Sequence, residues 1–192
     1  YTKENVSCFG QSNGSINISC AGETGLYIYS WSGESGFSSN EQNVSDLAAG
    51  NYFLEVSEYN GCLFSIEVEI TEPENMEISE THSDYTGFGV SCNGATDGFI
   101  DLSVTGGVGM YYFLWTSDNG FISTNEDVSN LSSGLYSVTV VDENCSFINI
   151  DVEIMESNAM AISETHSDYI GLGVSCNGAT DGSIDVTVTG GT

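Results

Sequence analysis

The sequence predicts an all-β chain of tandem β-sandwich repeats. Three observations predict it: an internal period of 84 residues, runs in which apolar and polar residues alternate, and Asn-Gly or Asp-Gly pairs between those runs. Cys8, Cys92 and Cys176 keep the period, as do Trp31 with Trp115 and Tyr52 with Tyr136. Residues 79–107 match residues 163–191 except at Thr86/Ile170, Phe88/Leu172, Phe99/Ser183, Leu102/Val186 and Ser103/Thr187. The chain therefore reads as a repeat lacking most of its first strand (residues 1–74), a complete repeat (75–158) and the opening strands of a further one (159–192). Stopped at Thr192, a sandwich would leave Ile184, Val186 and Val188 without a facing sheet. The same unit is therefore expected to continue at both ends, arranged end to end as a fibre.

Each element follows from its pattern. Ile16, Ile18 and Cys20 alternate with Asn17 and Ser19, and Ile100, Leu102 and Val104 alternate with Asp101 and Ser103. Tyr27, Tyr29 and Trp31 share one face of the next strand, as do Tyr111, Phe113 and Trp115. Tyr52, Leu54 and Val56 form a later strand, matched by Tyr136, Val138 and Val140. The closing strand points Ile66, Val68 and Ile70 inward and Glu67 and Glu69 outward; its counterpart uses Ile150, Val152 and Ile154 with Asp151 and Glu153. Turns are expected at Asn13-Gly14, Asn60-Gly61, Asp97-Gly98 and Asn119-Gly120. No helical period occurs. About seven short strands per unit with a strand-borne Trp describe an immunoglobulin-like sandwich, with a barrel as the alternative. Tyr52 and Tyr136 stand where a tyrosine corner would lie, or are simply inward aromatics.

Charge narrows the partners. The chain carries 28 acidic residues, Lys3 as its one basic residue and a net charge of -27. Nucleic acid is excluded, because phosphate binding needs Lys and Arg. Anionic membrane surfaces are disfavoured for the same reason. With 40% hydrophobic residues the chain has enough apolar area to fold, unlike a disordered acidic tail. Outward acids such as Glu67 and Asp151 guard sheet edges against pairing between chains. Divalent cations are the natural counterpart, and they are expected to relieve repulsion and stabilise the array.

Six cysteines in a repeat array suggest an oxidising compartment. Each full unit has one Cys before its second strand and one before its last, so the expected bridges are Cys8–Cys62 and Cys92–Cys145. Buried free thiols are the alternative. Cys20 stands where the other repeats have Val104 and Val188, which marks it as an inert core thiol. Cys176 would await a partner beyond Thr192.

No nucleophile constellation is present, and Lys3 alone could stabilise an anionic transition state. The chain is expected not to be an enzyme. Glu80, His82 and Asp84 would share one face of a strand, as would Glu164, His166 and Asp168. Such a stripe is either three ligands for a transition metal or a solvated strand face. Calcium is the better cation. Asn93, Asp97 and Asp101 cluster in sequence, repeated at Asn177, Asp181 and Asp185, while Asp118, Asn119, Asp142 and Glu143 add oxygen donors. The run departs from a calcium loop in having Ala95 at its third position and no Glu at its twelfth. A tight turn at Asp97-Gly98 and diffuse screening of the surface are the competing readings.

The segments VSCNGATDGFIDLSVTGG, DVSNLSSGLYSVTVVDENC and INIDVEI, with the aromatic strand ending in Trp115, resemble the SprB-type repeat over essentially the whole chain. The segment ISETHSDY and Cys20 depart from that repeat's usual pattern. The resemblance implies a very large surface adhesin of gliding bacteria, exported by type 9 secretion. It places the chain outside the cell, as a structural module that sets the reach and stiffness of an adhesive or motility filament. Its partners would be neighbouring repeats of the same chain and an extracellular surface or polysaccharide, with no membrane insertion. The alternative is a glycan- or surface-binding module acting through exposed loops, with Phe37, Tyr59, Phe88 and Phe121 as an aromatic platform. A third reading is a passive stalk for an enzyme elsewhere in the chain.

Overall fold

The computed structural model describes residues 1–21, 26–58, 61–144 and 146–191. Apart from one 3-10 turn at Glu34–Gly36, the regular structure of these residues is all strand. The first repeat holds β1 (Thr2–Glu4), β2 (Gly14–Asn17), β3 (Tyr27–Gly33), β4 (Ser38–Ser39), β5 (Val44–Leu47), β6 (Gly50–Glu58) and β7 (Leu63–Ile70). The second holds β8 (Glu77–His82), β9 (Gly98–Thr105), β10 (Tyr112–Ser117), β11 (Ile122–Ser123), β12 (Val128–Leu131), β13 (Gly134–Val141) and β14 (Phe147–Ile154). A hairpin of β15 (Ala161–His166) and β16 (Ile184–Thr189) follows. Among the described residues, each of the first two repeats thus shows seven strands, in line with the sequence expectation.

Alternation decides the two faces. In β6, Tyr52, Leu54 and Val56 are buried while Phe53 and Glu55 are exposed. In β13, Tyr136, Val138 and Val140 are buried in the same rhythm. The strands of the first repeat form one sheet in the order β1-β2-β5 and another in the order β4-β3-β6-β7. Ile16, Val44 and Leu47 from the first sheet, with Ile18 just beyond β2, join Trp31, Tyr52, Leu54, Val56, Val68 and Ile70 from the second in one buried cluster, so the sheets face each other as a sandwich. Register sets these residues side by side, with Trp31 opposite Leu54 and Tyr52 opposite Val68. The second repeat has the same two orders, β12-β9-β8 and β11-β10-β13-β14, with Ile100, Leu102, Trp115, Val128, Leu131 and Tyr136 among its buried residues.

Two backbone devices recur at the period. Asp46 and Asn130 adopt φ of 57° and 59° where the registers of β2–β5 and β9–β12 shift, so a bulge is placed on a residue type that tolerates the left-handed region. Gly106, at φ 75°, leaves no room for a Cβ beside the Asn75 carbonyl, and Gly190 stands in the same relation to Ala159.

By contact density the chain divides into two compact units. One comprises Tyr1–Ile78, Val104–Tyr112 and Thr139–Ile148; the other comprises Ser79–Ser103, Phe113–Val138 and Asn149–Thr192. In the hairpin, Ile184 is 74% exposed, whereas its equivalent Ile100 is sealed from water.

Candidate functional site

Every backbone N–H taken from water needs an acceptor, and loops cannot supply it from a sheet ladder. Here side-chain oxygens supply it, at positions that repeat. The backbone N–H of Ser7 donates to Asn13 Oδ1 at 3.0 Å, that of Ser91 to Asp97 Oδ1 at 3.0 Å, and that of Ser175 to Asp181 Oδ1 at 3.1 Å. Each bond ties the cysteine-bearing loop to the start of the following strand. The Ser91 hydroxyl, and after it the Ser91 backbone N–H, hold the Asp97 carboxyl below the usual carboxylate range; Ser175 acts likewise on Asp181. In the same loops, Gly10 N–H donates to Glu72 Oε2 at 2.6 Å and Gly94 N–H to Glu156 Oε2 at 2.7 Å.

Asp142 is the most enclosed acid described, at 2% exposure. Its Oδ1 accepts from the backbone of Asn144 at 3.0 Å and Ser146 at 2.8 Å, and its Oδ2 accepts from Val108 N–H at 2.9 Å. A buried carboxylate with three N–H donors is a structural clamp with its oxygens already engaged.

The calcium residues expected from sequence are therefore dispersed into separate tasks. Asn93 donates through Nδ2 to the Ser157 carbonyl at 2.9 Å, Asp97 closes its turn, and Asp101 is exposed on β9. Asp118 accepts from the Ser117 hydroxyl at 3.2 Å, and Asp142 clamps its loop. Among the described residues, no group of three or more His, Cys, Asp or Glu side chains could hold a metal ion. The strand stripe also ends early. His82 Nδ1 lies 3.0 Å from Glu80 Oε2, but β8 stops at His82 and Asp84 turns to accept from Gly87 N–H at 2.6 Å. Lys3 donates its ammonium to the Glu69 carbonyl.

The structure does not bring Cys8 and Cys62 together. Val6 N–H donates to the Thr71 carbonyl at 3.0 Å and Gly10 to Glu72, which fixes the Cys8 loop at the C-terminal end of β7. Cys62 immediately precedes the N-terminal end of β7. Eight residues of strand span roughly 26 Å, whereas bridged Cα atoms lie about 4.4–6.8 Å apart. The expected Cys8–Cys62 bridge is accordingly not made, and Cys8 is a buried free thiol. Cys92 is exposed; its expected partner Cys145 lies outside the described residues. Cys20 packs against the core of the first repeat, lining a cleft with Cys62, Tyr27 and Phe64.

The aromatics of the proposed platform have other work. Phe37 packs edge-on against Tyr52 with ring centres 5.1 Å apart, and Phe121 against Tyr136 at 5.4 Å. They cap the tyrosines that anchor each corner. Phe88 is half-buried beside a turn closed by Tyr85, and Tyr59 lies outside the described residues. Desolvation, and after it the charge of Glu34, holds the Tyr52 phenol above its ordinary range, which keeps it a donor.

Sequence reading passed over Ser83 and Ser167. The buried Ser83 hydroxyl donates to the Gly89 carbonyl and accepts from Phe99 N–H at 3.1 Å. Ser167 repeats this with Gly173 and Ser183. Their recurrence at 84 residues was the available clue; a serine in a polar run shows nothing of its burial.

The SprB repeat family matches the chain at residues 1–36, 90–120 and 174–192. These segments begin 84 residues apart from the second onward, and they cover the cysteine loop and the strand after it each time, reaching the Trp strand in the first two. The matched stretches are narrower than the whole-chain resemblance expected from sequence, since β5, β6 and β7 lie outside them. None of the curated proteins matches the chain. Among the described residues, no helix is long and apolar enough to cross a membrane.

Proposed function

We propose that this chain, which carries SprB-type repeats, is a non-enzymatic structural module of a cell-surface adhesive or gliding-motility filament, and that it sets the filament's reach and stiffness. The recurrence of the SprB repeat at 84-residue spacing carries this reading, because a repeated sandwich adds length and leaves chemistry to other domains. Charge supports it. Copies with a net charge of -27 repel each other, which discourages bundling on a crowded surface unless divalent cations intervene. The loops support it too, since their acids satisfy backbone N–H groups.

An antibody raised against the chain tests the location and the role together. Intact, unpermeabilised cells of the source organism should label at their surface, and antibody should impair attachment or gliding. Labelling only after permeabilisation would overturn the reading. Selective retention of the chain by one glycan on an array would instead support the binding-module alternative.

A further inference from the structure

We propose that the cysteine loop of each repeat is the socket for the β13–β14 hairpin of the repeat that follows, and that the loop at Ser91 and Cys92 accepts this hairpin from a complete third repeat. The inference deepens the filament reading, since it rests on repeats standing in series and names the joint between them. One such joint is in the structure. The Cys8 thiol donates to the Asn144 carbonyl with S···O 3.0 Å, and Asn144 Nδ2 donates to the Ser7 carbonyl at 2.8 Å. Asp142 fixes the turn that presents Asn144, because its Oδ1 accepts the N–H groups of Asn144 and Ser146. Beside these bonds, Ser146, Phe147 and Ile148 line one cleft with Cys8, Phe9 and Met76. All of these residues belong to a single compact unit.

The second socket is built in the same way. Val6-Ser7-Cys8 recurs as Val90-Ser91-Cys92, with Val6 and Val90 both buried. Asp97 accepts the Ser91 N–H as Asn13 accepts that of Ser7. The junction after each repeat is also repeated: Gly107 N–H donates to the Glu74 carbonyl at 2.9 Å, and Gly191 N–H to the Asn158 carbonyl at 2.8 Å. Exposure is what differs. Cys8 and Met76 are each 5% exposed, whereas Cys92 is exposed and Met160, the equivalent of Met76, is 68% exposed. The period equivalents of Asn144 and Phe147, which would cover them, fall after Thr192. A copy of the hairpin already seated on Cys8 is therefore the occupant that the second socket fits.

Thiol accessibility tests the joint, because a covered thiol alkylates only when its cover opens. The chain is compared with a version carrying a copy of residues 109–158 after Thr192, which completes the third repeat. Both are kept reduced, pulsed with iodoacetamide and read cysteine by cysteine by mass spectrometry. In the parent chain Cys92 should react roughly tenfold faster than Cys8, and Asn144→Ala should speed Cys8. In the extended chain Cys92 should slow by roughly tenfold while Cys176 stays fast, and Asn144→Ala in the appended copy should restore the Cys92 rate. Near-ultraviolet circular dichroism, which gains the signal of a third buried Trp, establishes that the added repeat is folded. Unchanged Cys92 labelling in the folded extended chain would overturn the proposal. So would a Cys8 rate in the parent that matches Cys92 or ignores Asn144→Ala, whatever the antibody finds at the cell surface.

Discussion

The hydroxyl of Tyr52 donates to the carbonyl of Ala48, four residues upstream, at 2.9 Å. Tyr136 repeats the bond to Ser132 at the same distance, so a tyrosine corner closes both full repeats. The phenol enters the core as an aromatic and leaves its oxygen where the chain bends back. The second corner is better secured, because Asn119 Nδ2 also donates to the Tyr136 hydroxyl at 3.3 Å, whereas Ser35 occupies the equivalent place in the first.

Removing these hydroxyls should therefore cost unequal amounts. Tyr52→Phe is expected to destabilise the chain by about 1 kcal/mol, and Tyr136→Phe by about 1.5 kcal/mol. Urea unfolding followed by far-ultraviolet circular dichroism measures both. Unchanged midpoints would mean that the corner bonds contribute nothing beyond ring packing.

Asp142→Ala should be the most damaging single loop substitution, at roughly 3 kcal/mol, since three backbone N–H groups lose their acceptor in a buried place. Asp142→Asn should cost less. It keeps one oxygen for Asn144 and Ser146 but turns an amide toward the Val108 N–H. Equal, small losses from both changes would show that water reaches the loop and replaces the carboxylate.

Much of this was legible in the sequence, and the losses have physical reasons. Alternation located the strands because one face of each sheet is buried, and Asp97-Gly98 was readable as a turn because its chemistry is local. Asp142 was not readable: VVDENC looks like a row of solvent-facing oxygen donors, and only folding brings Val108 to its second oxygen. The expected Cys8–Cys62 bridge was misplaced for a related reason. Taking each repeat as closed put Cys8 with Cys62, yet the chain sets Cys8 against Asn144, distant in sequence and outside that repeat.

The acid response of the turn carboxylates has a definite sign. The folded-state pKa of Asp97 is depressed, so the stability it contributes is full above its unfolded value near 3.8 and is lost as pH falls through the lower folded value. Asp97→Asn should leave stability near neutral pH little changed, because Asn13 makes the same bond in the first repeat. The variant should lose less stability than the parent on acidification below about pH 4. Melting temperatures from pH 7 to pH 2 read this directly, and parallel curves for the two proteins would refute it.

Salt should stabilise the chain without regard to the identity of the cation. Raising ionic strength from 0.01 M to 0.15 M shortens the screening length from about 30 Å to about 8 Å, which relieves repulsion across a surface of net charge -27. Sodium and calcium chlorides at matched ionic strength are expected to raise the melting temperature alike. A further rise with calcium, reversed by chelator, would reveal a specific site.

Trp31 and Trp115 are 2% and 0% exposed, and each indole N–H is held by a carbonyl, Glu41 for the first and Asn125 for the second. Each full repeat therefore carries one fluorophore that a collisional quencher cannot reach until that repeat opens. Trp31→Phe leaves emission from the second repeat alone, and Trp115→Phe leaves it from the first. Units that melt independently would give two red shifts at different denaturant concentrations, while units that melt as a block would shift together. The molecule thus holds an optical record of how far cooperativity travels along its own length.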